Sequence, residues 1–158
     1  MPRNGKDIPI SPLHWPFDWN HLPSWQSFLS AIPVVGPQAR AYRAVVRQLK
    51  LRPNWCFELW DGYSEVERHL SKTIARIAQV GLGWPNAHFI PADPFEIIVW
   101  DRYGDLATSG LLTEIEAEAG LRRRTTAEWE SLMGTSFGEV VRALSQDVSA
   151  TVCGENKV

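Results

Sequence analysis

The chain has 158 residues, a net charge of -2 and 44% hydrophobic residues. This balance excludes a collagen, a disulfide scaffold and a wholly disordered chain, and its lack of basic excess speaks against a dedicated nucleic-acid binder. One domain with an extension is the expected organisation.

The first part of the chain differs from the rest. Eight of the 11 prolines and five of the eight tryptophans fall within the first 60 residues. Residues 1–52 carry a charge balance of +5 and the remainder one of -7. Residues 1–23 read as an irregular, aromatic-laden arm, and its aromatic stretch is His14-Trp-Pro-Phe-Asp-Trp-Asn-His-Leu-Pro-Ser-Trp25. Its rings are expected to pack over the rest of the protein, with a protein partner or a membrane interface as the alternatives. Ser24 to Ala31 fits a short helix stopped by Pro33. Pro37 suits the first position of a helix, where its missing N–H costs nothing. That helix is expected over Gln38 to Leu51, ended by Pro53, with Ala41, Val45 and Leu49 inward. Arg40, Arg43, Arg47 and Lys50 share its other face. They suit an acidic surface, which a partner, an anionic headgroup or this chain's own Glu114, Glu116 and Glu118 could supply.

The acidic part is strongly helical in pattern. Ser64-Glu-Val-Glu67 fits a capping box, followed by Val66, Leu70, Ile74 and Ile77 at helical spacing. Gly81 and Gly83 end that run, and the three prolines of Gly83 to Pro94 exclude helix from most of the next loop. Phe95 to Trp100 fits a short helix or an extended turn. A further helix begins near Asp105, buries Leu112, Ile115 and Ala119, and stops at Gly120. Thr125-Thr-Ala-Glu128 opens a short segment with Trp129, Leu132 and Met133, and Thr135-Ser-Phe-Gly-Glu139 opens the last helix with Val140, Val141 and Leu144. Nothing over residues 64–146 asks for a strand. The reading is all-α: residues 1–53 an arm plus a basic helix, 54–148 a helical domain, and 149–158 a flexible tail.

Residues 64–146 resemble an acyl carrier protein. The resemblance rests on Gly104-Asp-Leu-Ala-Thr-Ser-Gly-Leu-Leu-Thr-Glu-Ile-Glu-Ala-Glu-Ala-Gly120, which is similar to the family's second helix, and on Thr135-Ser-Phe-Gly-Glu-Val-Val141, which is similar to the step into its last helix. Phe89 to Asp93 resembles the loop element before the second helix. The resemblance implies a four-helix bundle. In that family a serine at the start of the second helix carries phosphopantetheine, and here the matching position is Asp105. A carboxylate cannot form that phosphodiester, so no prosthetic group is expected. Asp105 suits the positive end of a helix as a cap instead. Ser109 is the nearest hydroxyl, about one turn later, and is the alternative attachment site.

Other chemistry is thinly represented. His14, His21, His69 and His88 have no paired-ligand spacing, and no nucleophile elbow, phosphate loop or dinucleotide fingerprint is present. Asp93, Glu96, Asp101 and Asp105 gather in sequence, which keeps open a small metal-binding protein or enzyme built on residues 93–105, although the spacing is not that of a calcium loop. Arg122-Arg-Arg124 suits the last carbonyls of the helix before it. Cys56 and Cys153 read as free thiols. With no apolar signal region and no spanning run, a cytoplasmic location is expected. The expected function is a non-catalytic protein-interaction module with an unidentified protein partner, neither metal nor nucleic acid, and Arg40, Arg43, Arg47, Glu114, Glu116 and Glu118 as its contact residues. A carrier that uses Ser109 is the alternative.

Overall fold

The computed structural model describes residues 10–22, 36–53, 57–102 and 105–154. The side chains of residues 57, 105–107 and 149–154 lie outside the described set. So do Ser24 to Ala31, where a short helix was expected, and both cysteine side chains.

All the regular structure among the described residues is helical. Six α-helices follow in order: α1 Pro37–Leu51, α2 Glu65–Leu82, α3 Phe95–Ile98, α4 Asp105–Glu118, α5 Thr126–Met133 and α6 Phe137–Gly154. Short 3-10 turns occupy Trp19–His21 and Phe57–Trp60. None of the described helices is long and apolar enough to cross a membrane.

Local chemistry explains most of the boundaries. Pro37 starts α1 at the position where a missing N–H is harmless, and Ala41, Val45 and Leu49 are buried along one stripe. Ser64 and Glu67 close a capping box on α2, as Thr125 and Glu128 do on α5. Ser136 and Glu139 exchange the same two bonds at the start of α6. Gly83 ends α2 with φ +71°, while Gly81, expected to stop that helix, lies within it. Beyond α4, the Gly120 N–H reaches Ala117 O at 3.4 Å and the Leu121 N–H reaches Glu116 O at 2.9 Å, with φ +63° at Gly120. That is a Schellman ending, and it needs the left-handed residue that glycine supplies.

Helix α2 packs against α4 and α6, and α3 against α5. The core takes Leu70, Ile74 and Ile77 from α2, Leu112 and Ile115 from α4, and Val140, Val141 and Leu144 from α6. Val66 points outward instead, so the apolar stripe of α2 begins one turn later than its spacing suggested. Helix α6 runs on to Gly154, past the expected tail boundary at 148.

The proline-rich loop is tied down by backbone bonds. Phe137 N donates to Asp93 O at 2.7 Å, Gly138 N to Pro91 O at 2.8 Å and Phe95 N to Thr135 O at 3.1 Å. A lone antiparallel bridge, Pro94 to Ser136, is the result.

Candidate functional site

The arm over residues 10–22 is built into the protein. Leu13 is buried in the core, and Trp15 packs against it. His14 N donates to Gln48 Oε1 at 3.1 Å, and Gln48 Nε2 returns a bond to His14 O at 2.9 Å, which fastens the arm to α1. The rings then make a chain of contacts: Phe17 to Trp19 at 4.9 Å, Trp19 to Trp15 at 5.5 Å and Trp15 to Trp100 at 5.1 Å, all edge-to-face. This answers for Trp15, Phe17 and Trp19, whereas Trp25 and Phe28 lie outside the described residues.

Asp93, assigned by sequence to an acidic loop, is the centre of a buried ion pair. Arg52 Nη1 meets Asp93 Oδ2 and Arg52 Nη2 meets Oδ1, both at 2.6 Å, with the side chains 5% and 0% exposed. Leu13 N and Ile90 N donate to the same carboxylate at 2.9 and 2.8 Å. Arg52 also donates to Ser11 O and His88 O, each at 2.9 Å. One pair of side chains thus joins the arm, the end of α1 and the loop. Glu96, further along, accepts from Trp15 Nε1 at 3.3 Å. Among the described residues no three His, Cys, Asp or Glu side chains gather in a way that could hold a metal ion. Sequence reasoning passed over Arg52, and a separation of 41 residues offered no local signal for its pairing with Asp93.

His88, against this pair, is held below the ordinary histidine value, first by burial and then by the Arg52 charge. Its Nδ1 is buried without a hydrogen bond.

The basic face of α1 is exposed at Arg40, Arg43, Arg47 and Lys50, and the helix holds no acidic residue. The Arg40 guanidinium lies 5.6 Å from the Phe17 ring centre, and Arg43 Nε donates to Ala39 O at 3.2 Å. The acidic residues of α4 do not form one face. Glu114 is exposed, and Glu118 is paired with Arg76 of α2. Glu116 turns inward, accepting from Trp129 Nε1 at 2.9 Å and Arg124 N at 2.8 Å. The reason is helical geometry, since residues two apart project in different directions.

Helix α4 begins at Asp105, where sequence placed a helix start, and the Asp105 side chain lies outside the described residues. Ser109 is exposed and lines a cleft of about 510 Å³ between α3, α4 and α5. Val99, Trp100, Leu112, Trp129 and Met133 supply its apolar wall. Arg124, which stood in a basic run read as a helix-end device, lies over Trp129 at 5.7 Å and is bonded to Asp147 at 2.5 Å. Beside it Arg122 meets Glu128 at 2.5 Å, which with the Thr125 amide and hydroxyl brings the Glu128 carboxyl down to about 2.

The chain matches no protein-family model, no curated protein and no solved structure. What the described residues define is an all-α protein with an ordered aromatic arm, an exposed basic helix face and one cleft that unites an apolar wall with buried charge.

Proposed function

We propose that this chain is a non-catalytic protein-interaction module, an acyl-carrier-like helical bundle that works without a prosthetic group. The observation that carries the reading is α1: four exposed cations, no acid, and an opposite face locked into the core. The arm stiffens this surface, because Phe17 lies under Arg40 and its neighbouring rings are packed together. Arginine and aromatic residues on a rigid base are the usual anchors of protein interfaces, and a set of like charges favours an acidic partner. The pairing of Glu118 with Arg76 engages that acid away from this face.

Changing Arg40, Arg43 and Arg47 together to Gln tests it. Wild type immobilised at low salt is expected to retain a discrete protein from an extract of its own source, and the variant to lose it with its melting temperature unchanged. The same retained protein with both baits would count against the reading.

The carrier alternative has one observation in its favour, the exposure of Ser109 at the rim of the cleft. Incubation with a broad-specificity phosphopantetheinyl transferase and coenzyme A separates the two. The module reading expects an unchanged intact mass for wild type and a gain for Asp105→Ser; modification of wild type at Ser109 would establish the carrier.

A further inference from the structure

Among the described residues, Leu51, Val80, Val66 and Leu59 are large apolar side chains left in water, at 80%, 75%, 47% and 42% exposure. Three of them sit inside sets of like charge. Leu51 lies next to Lys50 and four residues beyond Arg47, so it closes the basic stripe of α1. Leu59 and Val66 lie among Glu58, Asp61 and Glu65, all exposed, in the turn that leads into α2.

Neither set is answered within the chain. Arg47, Lys50, Glu58, Asp61 and Glu65 enter no ion pair and no side-chain hydrogen bond among the described residues. Other carboxylates are occupied: Glu67 and Glu139 cap helices, and Asp93, Glu118, Glu128 and Asp147 meet arginines. Arg68, beside the acidic set, donates to Tyr63 O at 2.9 Å and offsets only part of its charge. Helix-end electrostatics accounts for Lys50 at the end of α1 and Glu65 at the start of α2. It does not account for Arg47, Glu58 and Asp61, nor for the apolar side chains beside them.

We propose that the basic face of α1 docks on residues 58–66 of a second copy of this chain. Arg47 and Lys50 meet Glu58, Asp61 and Glu65, and Leu51 lies against Leu59 and Val66. Each surface carries the sign that the other lacks, and each has an apolar centre for the other to cover. The inference rests on the docking face proposed for α1 and names its partner. Every copy carries both surfaces, so the contact closes as a two-fold pair or continues from copy to copy. Exposed charge pairs are individually weak and are screened by salt, so the association is weak and salt-sensitive.

The test is analytical ultracentrifugation of the full chain over a range of concentrations, in about 20 mM and about 500 mM salt. At low salt the average mass is expected to rise with concentration, and at high salt to return to that of one chain. Two charge-reversed variants sharpen it: Arg47→Glu with Lys50→Glu, and Glu58→Lys with Asp61→Lys. Each alone is expected to stay monomeric at low salt, because its two surfaces then repel. Mixed in equal amounts they are expected to associate again, since the reversed surfaces match. Leu51→Ser, at a site open to water, is expected to weaken wild-type association about 10-fold or more, and it decides the matter if a charge variant does not fold. Wild type that stays monomeric at low salt, association that survives in either charge variant or in Leu51→Ser, or a mixture that stays monomeric would overturn the inference. The α1 reading would still stand if immobilised wild type then retained a different protein that the Arg40, Arg43 and Arg47 variant loses.

Discussion

At Asp93 two backbone amides and both arms of Arg52 converge on one carboxylate, inside a loop that three prolines keep out of helix. Removing one member of such a pair strands the other in the interior. Arg52→Gln is therefore expected to destabilise by about 3–5 kcal/mol, read by urea denaturation. A loss below about 1 kcal/mol would mean that Asp93 is relieved by its two amides alone. His88 adds a pH effect. Its folded form stays neutral below the ordinary value of 6.5, while the unfolded chain takes up the proton there. The unfolded state binds more protons in that window, so stability falls as pH drops below 6.5. His88→Gln should flatten this slope, and a variant with the same pH profile as wild type would exclude His88 as its source.

Among the elements, the same device opens α2, α5 and α6: a hydroxyl followed three residues later by Glu. Such caps contribute about 1 kcal/mol each, and Thr125→Ala should show that loss in thermal denaturation. The α5 cap also survives acid. With Glu128 depressed from 4.5 to about 2, its contribution is present above 4.5 and is lost only as pH falls through about 2. An NMR titration in which the Glu128 carboxyl titrates near 4.5 would contradict the Arg122 and Thr125 contacts. At the start of α6, a Cβ on Gly138 would overlap the Tyr63 hydroxyl and lie 3.0 Å from Pro91 Cβ. Gly138→Ala is thus expected to destabilise by about 1–3 kcal/mol. Tyr63→Phe in the same chain should restore part of that loss, since Pro91 remains close; no recovery would place the overlap at Pro91 and the Tyr63 ring rather than at the hydroxyl.

For the whole molecule, the arm acts as a strap between α1, the loop and the tryptophan cluster. Deleting residues 1–22 removes Leu13 from the core and uncovers Trp15's partner Trp100. A buried Leu is worth roughly 1.5–3 kcal/mol, so the truncated chain should melt at lower temperature than full-length protein. Equal melting temperatures would make the strap an accessory. Much of this architecture was legible in the chain. Helical spacing with hydroxyl, proline and glycine signals located α1, α2 and α4 to α6, because those rules act over four residues or fewer. The arm's packing was legible too, since so many rings have few other places to go.

The site was legible only in part, and the split follows from distance along the chain. Sequence alone determined the all-helical class, the basic face of α1 and the helix start at Asp105, all of which follow from local periodicity and end signals. Tertiary structure decided which charges remain available. It turned Glu116 from a supposed surface acid into the buried wall of a cleft, and it made of Asp93 a structural hub. Both outcomes depend on partners 8 to 80 residues away, Arg124 for one and Leu13 for the other. A carboxylate's role is set by what desolvates it and what donates to it, and in this fold those neighbours come from other elements.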